Sequence, residues 1–165
     1  MGRLTLTVGS AAAEPLDGRV SSMEAGLVES DGRASMGGLT LDRIGVLAVD
    51  DQPIFLDVAR EVVAATPGFF WVGGATCGPE ALDAVGKLAP TLVLLDVRMP
   101  GMDGLETAQR ISESHPDVVV VLVSVDESPA LAPAVAASGA ATLVRKQEFG
   151  PEMLRRLWRT HKRPA

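Results

Sequence analysis

Ile44-Gly45-Val46-Leu47-Ala48-Val49-Asp50-Asp51-Gln52-Pro53 decides the fold. An apolar run with no alternating polar face is what a strand buried on both sides looks like, as in a parallel sheet. The run stops at two carboxylates and a proline. Pro53 suits the first turn of a helix, where the amide it lacks has no intrahelical partner anyway. Phe55, Val58, Ala59, Val62 and Val63 then recur at helical spacing, and Thr66-Pro67-Gly68 ends the helix.

The same pattern repeats downstream. Strands are predicted over 69–73, 92–95, 118–123 and 141–144. Helices are predicted over 79–88, 104–114, 129–138 and 151 to about 160. Ala81, Ala84, Val85 and Leu88 form one inward face; Leu105, Ala108 and Ile111 form another; Leu154, Leu157 and Trp158 form the last. Alternation at this spacing means βαβ units. Crossovers are right-handed, so helices cover both faces. The expectation is an α/β domain, an open doubly wound parallel sheet of five strands over residues 44–160. In such sheets ligands sit at the carboxyl ends of the strands.

Composition agrees and narrows the function. The 165 residues suffice for one domain and a tail, and 47% hydrophobic with 22% charged residues is a globular balance. Fifteen basic against 21 acidic residues leave a formal charge of −6, which argues against nucleic-acid binding through bulk charge. Cys77 is the single cysteine, so disulfide frameworks and multi-cysteine metal sites are excluded. His115 and His161 are far apart, and neither is given a role. No apolar run is long enough for a membrane span, and the N-terminus lacks a secretory signal's apolar core. Leu6 stands where a myristoylation motif has Ser or Thr. The expected location is the cytoplasm. Residues 1–43 hold seven of the 17 glycines and no aromatic, and read as a flexible tail. Leu4-Thr5-Leu6-Thr7-Val8 is an isolated strand candidate there, and Met36 an alternative translation start. Residues 161–165 form a short basic end.

The strand ends carry the chemistry. The first delivers Asp50 and Asp51, the third Asp96, the fourth Ser124, and the fifth Lys146 just beyond it. In a parallel sheet these ends share one edge, so three carboxylates, a hydroxyl and an ammonium converge. Crowded carboxylates raise one another's pKa. A hard cation relieves that conflict, and Mg2+ favours oxygen ligands that include carboxylates and phosphate. A carboxylate is also a nucleophile toward phosphorus. Taken singly, Asp50-Asp51 is an ordinary helix cap, Ser124 another, and Lys146 a surface lysine. Their joint placement favours a metal and phosphoryl site. Asp103 reads as turn chemistry before Gly104.

Asp50-Asp51, the segment Leu94-Leu95-Asp96-Val97-Arg98-Met99-Pro100-Gly101-Met102-Asp103-Gly104, Ser124, and Gly139-Ala140 followed by Lys146 together resemble the receiver domain of two-component response regulators. The likeness covers about residues 44–160. It implies the flavodoxin-like (βα)5 receiver fold and a phosphorylation switch, not a metabolic enzyme. It implies Asp96 as acceptor of a phosphoryl group from a sensor histidine kinase or phosphotransfer protein. Asp51, Asp96 and the backbone carbonyl of Arg98 would ligate Mg2+, with Asp50 positioning it through water. Ser124 and Lys146 would contact the phosphoryl group, and Pro100 and Gly104 would shape the loop. A homodimer or an unknown downstream protein would use the face of the fourth helix, fifth strand and fifth helix.

Departures from the pattern also read out. Leu143 stands where receivers carry an aromatic switch residue. Val125 follows Ser124 where alanine is common, and its branched side chain is expected to slow both phosphorylation and hydrolysis. Gln147 replaces a frequent proline after Lys146. Residues 44–154 hold six basic and 15 acidic residues, whereas Arg155, Arg156, Arg159, Lys162 and Arg163 crowd the end. That basic helix is either dipole complementarity or a partner-facing surface. Residues 50–65 resemble receivers fused to a helix-turn-helix, but no such domain follows Thr160 here. The expectation is therefore a single-domain regulator, in a phosphorelay, that acts on another protein without binding nucleic acid itself. Rivals are a degenerate receiver that binds partners constitutively, a truncated DNA-binding regulator, and a phosphohydrolase of the haloacid-dehalogenase type. The last requires Asp-x-Asp on the first strand, where this chain has Asp-Asp-Gln-Pro.

Overall fold

The computed structural model describes residues 33–36, 39–126 and 128–164. In chain order the elements are β1 (Arg33–Met36), β2 (Leu39–Asp42), β3 (Ile44–Val49), α1 (Pro53–Ala64), β4 (Phe69–Ala75), α2 (Gly78–Leu88) and β5 (Leu92–Asp96). There follow α3 (Gly104–Ser114), β6 (Val119–Ser124), α4 (Ala132–Ala137), β7 (Thr142–Arg145) and α5 (Pro151–His161). Short 3-10 turns at Pro129–Leu131 and Lys146–Glu148 lead into α4 and toward α5.

Strands β3 to β7 form one five-stranded parallel sheet in the order β4-β3-β5-β6-β7. Every residue of β3, β5 and β6 is buried, which is why those strands read as unbroken apolar runs. Their side chains alternate between two cores. Val46, Ala48, Leu92, Leu94, Val119, Val121 and Val123 face α1 and α5, meeting Phe55, Ala59, Val63, Leu154 and Leu157. Leu47, Val49, Val93, Leu95, Val120 and Leu122 face α2, α3 and α4, meeting Ala81, Val85, Ala108, Ile111 and Val135. Each fully buried Val, Leu or Ile contributes about 1.5–3 kcal/mol relative to exposure. From β3 the chain passes along one face through α1 to β4, and from β5 along the other face through α3 to β6. The loops after β3 and β5 therefore part at a switch point, leaving a crevice at the carboxyl edge.

The doubly wound parallel sheet is as the sequence predicts, with differences in detail. β1 and β2 pair antiparallel, Arg33 opposite Asp42 and Met36 opposite Leu39, inside the stretch read as a tail. The rest of that stretch, with Leu4–Val8, lies outside the described residues. The fourth helix does not start at Pro129. Pro133 has no amide, and its ring would collide with the carbonyl four residues back, so an α-helix cannot run through from Pro129. A 3-10 turn covers Pro129–Leu131 instead. Val58 and Leu88, both assigned to inward faces, are exposed. Leu88 lies over Gly73 of edge strand β4, where the lack of a side chain leaves it room. Among the described residues no helix is long and apolar enough to cross a membrane.

Candidate functional site

The carboxyl ends of β3, β5, β6 and β7 meet at one edge of the sheet, and each functional side chain is fixed there by its backbone. The amide of Asp50 donates to the Ala75 carbonyl at 3.0 Å, tying the end of β3 to β4. Asp50 Oδ1 accepts from the Gln52 amide at 2.8 Å. That makes an Asx turn rather than a helix cap: Gln52 is the capping residue of α1, and it makes no side-chain cap bond. Asp96 ends β5, and the next amide, Val97, donates to the Val123 carbonyl at 3.0 Å. Gly104 N then donates to Val97 O at 2.9 Å, folding the loop back on itself. A Cβ at Gly104 would fall 2.0 Å from the Asp96 carbonyl oxygen, so no side chain fits. Pro100 is exposed at the outer part of that loop, and Gly101 beside it has φ +79°. Asp103 caps α3, its Oδ1 accepting from the Glu106 amide at 2.9 Å, a helix cap where the sequence suggests turn chemistry.

Asp50, Asp51 and Asp96 each place a carboxylate oxygen within 4.8 Å of the other two. Asp50 and Asp96 are buried, whereas Asp51 is exposed at the rim. Lys146 reaches in from beyond β7, its Nζ 2.5 Å from Asp50 Oδ2 and 3.5 Å from Asp96 Oδ1. Among the described residues, Asp50 Oδ2 is buried and receives no directed hydrogen bond despite that proximity. The contact is an ion pair, because charge attraction needs closeness and not direction. Burial pushes the Asp96 carboxyl above the usual carboxylate range, and the Asp50 charge adds to this. The Lys146 ammonium and the Arg98 amide, which donates to the carboxylate, oppose it.

Ser124 ends β6 buried, its Oγ accepting from the Asp126 amide at 3.2 Å. Val125 beside it is exposed, and its carbonyl accepts from Gln147 Nε2 at 3.2 Å. Gln147 thus links the loop after β6 to the turn after Lys146. Leu143 is half-buried on β7, paired in register with Leu122 and packed in the α2–α3–α4 core. Arg98 is exposed on the loop after β5. The structure therefore gathers the acidic trio, Lys146 and Ser124 at one edge. Pro100 and Leu143 lie outside that cluster.

The donor set fits a divalent cation. All three ligand groups are oxygens, one buried oxygen has no directed donor, and three carboxylates share one nearby ammonium. A hard ion with water in its shell suits such a site. Asp51, at the open rim, leaves a side from which such an ion can enter.

Over residues 46–158 the sequence matches the response regulator receiver domain. The chain belongs to that family. This receiver is 37% identical over 111 residues to the response regulator GacA of Pseudomonas viridiflava, covering 67% of this chain and 52% of that protein. It is 35% identical over 111 residues to a protein-glutamate methylesterase/protein-glutamine glutaminase of Myxococcus xanthus, covering 67% of this chain and 31% of that one. Among solved structures it resembles the signal receiver domain of the response regulator NarL from Mycobacterium tuberculosis. The TM-score is 0.67 at 28% identity, over 72% of this chain and 95% of that one. The receiver spans about half the length of the GacA regulators it matches.

One residue at the site escaped the sequence reading. Phe55 recurs at helical spacing and reads as core. It is buried, but its ring also faces Lys146, with Nζ 4.8 Å from the centroid. Nothing local in the sequence separates that role from packing, because the two residues are 91 positions apart.

Proposed function

We propose that this receiver accepts a phosphoryl group on Asp96 from a sensor histidine kinase or phosphotransfer protein, in a Mg2+-dependent reaction, and signals to a partner protein by changing conformation. One observation carries the reading. Asp50, Asp51 and Asp96 hold their oxygens within 4.8 Å of one another, with Lys146 touching two of them. That is a nucleophile, a cation seat and a fixed positive charge at the switch point of a doubly wound sheet.

Asp50 and Asp51, with Asp96 itself and the Arg98 carbonyl, would hold the ion. Bound there, it would supply charge neutralisation for the phosphoryl oxygens. Asp96 must be ionised to attack. Its Oδ forms the new bond to phosphorus as the donor's P–N bond breaks, and that electron pair leaves on the imidazole nitrogen, which takes up a proton. Lys146 would move from Asp96 to a phosphoryl oxygen, a short step because it already lies at the rim of both carboxylates. Ser124, at the end of β6, would donate to another phosphoryl oxygen once its hydroxyl turns from the Asp126 amide. Gly104 holds the loop after Asp96 against the β5 backbone, so the nucleophile stays in place. Rearrangement at Ser124 would pull the β6–α4 loop and bias two packings of the α4–β7–α5 face. A second copy or a downstream protein would read that face.

Incubation with acetyl phosphate and Mg2+ tests this. The expected product is a labile adduct of one phosphoryl group, lost in Asp96→Asn and abolished by chelator. Multiple-turnover hydrolysis of small phosphate esters would instead indicate a phosphohydrolase. Absence of any adduct would favour a constitutive binder, a reading to which Leu143 lends weight. In the same assay Val125→Ala should speed both formation and loss of the adduct.

A further inference from the structure

Among the described residues the Lys146 ammonium has three neighbours, not two. Asp50 and Asp96 lie on one side, and the face of Phe55 lies on another, 4.8 Å from Nζ to the ring centroid. That distance is within the roughly 6 Å over which a ring quadrupole attracts a cation. The ring is itself held. Phe55 is buried on the first turns of α1, and Phe149 packs against it with centroids 5.9 Å apart and planes tilted by 49°. Phe149 closes the turn that begins at Lys146, its amide donating to the Lys146 carbonyl at 3.2 Å. One side of the aromatic pair thus belongs to α1 and the other to the turn that carries the lysine.

The chemistry gives the ring a specific use. An ammonium has three N–H donors and no acceptor. The charge of Asp50 draws the ammonium without a directed bond, and its N–H donors must pass from Asp96 to a phosphoryl oxygen. A ring attracts the whole cation from its face without competing for the in-line carboxylate contacts. It also walls off one side, so a long side chain with many rotamers is confined to the crevice. The chain has four Phe, two Trp and no Tyr, and two of those few aromatics are spent here.

We propose that Phe55, backed by Phe149, is a positioning residue for Lys146, seating the ammonium where it can pass from the carboxylates to an incoming phosphoryl oxygen. The proposal rests on the phosphoacceptor reading above, and its test has an arm that does not. Lys87, Lys146 and Lys162 are the only lysines, so the lysine side-chain methylene signals of the full chain can be assigned by substitution. In the unsubstituted protein the Lys146 Cε protons should be displaced upfield by the ring current. Phe55→Leu should remove that displacement and Phe55→Tyr should keep it. With acetyl phosphate and Mg2+, Phe55→Leu should slow adduct formation roughly three- to tenfold, a scale between an exposed and a desolvated cation–π contact. Phe55→Tyr should restore most of the rate. In a Lys146→Ala background Phe55→Leu should have no further effect, because there is no ammonium left to seat.

An unshifted Lys146 signal in the unsubstituted chain would overturn the contact. Equal slowing by Phe55→Leu with and without Lys146 would overturn the positioning role and leave Phe55 as packing. If no adduct forms in the unsubstituted chain, the phosphoacceptor reading fails and the positioning role falls with it. The lysine shift would then still decide whether the ring seats the ammonium.

Discussion

Lys146 leans on Asp50 rather than on Asp96: its Nζ is 2.5 Å from Asp50 Oδ2 and 3.5 Å from Asp96 Oδ1. Asp50 is fully buried and Lys146 only 12% exposed, so the pair is an interior one. The lysine compensates the deepest carboxylate while remaining within reach of the one that ends β5. Removing it would leave Asp50 charged, buried and without a counter-ion.

Lys146→Met should therefore destabilise the metal-free protein, by about 3 kcal/mol on the scale of a broken buried ion pair. Urea unfolding in chelator would measure it. Asp50→Asn added to Lys146→Met should recover part of the loss, since the orphaned charge goes with it. Mg2+ should also recover part, because a ligand that binds only the folded state stabilises it by mass action. A single variant as stable as the parent would mean that the Lys146 contact contributes nothing to holding Asp50 in the interior.

The raised pKa of Asp96 makes a second prediction with a definite sign. Burial, followed by the charge of Asp50, makes its folded-state carboxyl hold a proton more tightly than in the unfolded chain. Between its folded value and the ordinary carboxylate value near 4, the native state then binds more protons than the unfolded state. Stability from this group should rise as pH falls through that window, and the penalty should be fully present above it. In chelator, Asp96→Asn should thus be more stable than the parent at neutral pH, and the advantage should shrink on acidification. Urea midpoints of the two proteins from neutral pH down to pH about 4 would show it. A constant difference across that range would contradict the shift.

The site was legible in the sequence because a parallel sheet turns strand ends into neighbours. Asp50, Asp96, Ser124 and Lys146 each follow an apolar run, and the topology alone places them on one edge. What stayed hidden depends on side-chain direction and on contacts remote in sequence. Phe55 and Val58 fit the same helical stripe, yet Phe55 faces Lys146 and Val58 faces solvent. The periodicity is too coarse to separate them. Leu88 was misplaced for a similar reason: it closes over Gly73, a space that exists only because the partner strand carries a glycine there. The β1–β2 hairpin was missed because four-residue strands without strong alternation are weak signals.

Two glycines should respond to alanine with opposite signs. At Gly104 the new Cβ would lie 2.0 Å from the Asp96 carbonyl oxygen and 2.8 Å from Val97 Cα. Both are backbone atoms, so the loop itself must move. Gly104→Ala should cost more than the roughly 1–3 kcal/mol of ordinary overpacking. It should also lower the yield of adduct on Asp96, because the β5 end shifts. At Gly86, inside α2, a Cβ would meet nothing within 4 Å. Gly86→Ala should stabilise by about 0.4–1 kcal/mol through helix propensity and a less flexible unfolded chain. Urea unfolding of both variants checks the contrast, and a stable Gly104→Ala would mean that the loop after Asp96 is not locked to the strand.

Leu143 offers the sharpest test of the proposed switch. It lines a groove of about 630 Å³ between α4 and β7, with Ser128, Pro129, Ala132, Val135 and Ala136 on the opposite wall. Small side chains on that wall leave room that leucine does not fill. Leu143→Tyr should therefore be accommodated within or below the roughly 1–3 kcal/mol of ordinary overpacking. If the α4–β7–α5 face changes packing when Asp96 is phosphorylated, a ring in this groove has somewhere to move. The ring NMR signals of this tyrosine then become a direct probe, since the chain has no tyrosine of its own. The expected result is a shift of those signals on adding acetyl phosphate and Mg2+ to Leu143→Tyr, absent when Asp96→Asn is combined with it. An adduct on Asp96 with an unchanged tyrosine signal would uncouple phosphorylation from this groove and move the search for the responding surface elsewhere.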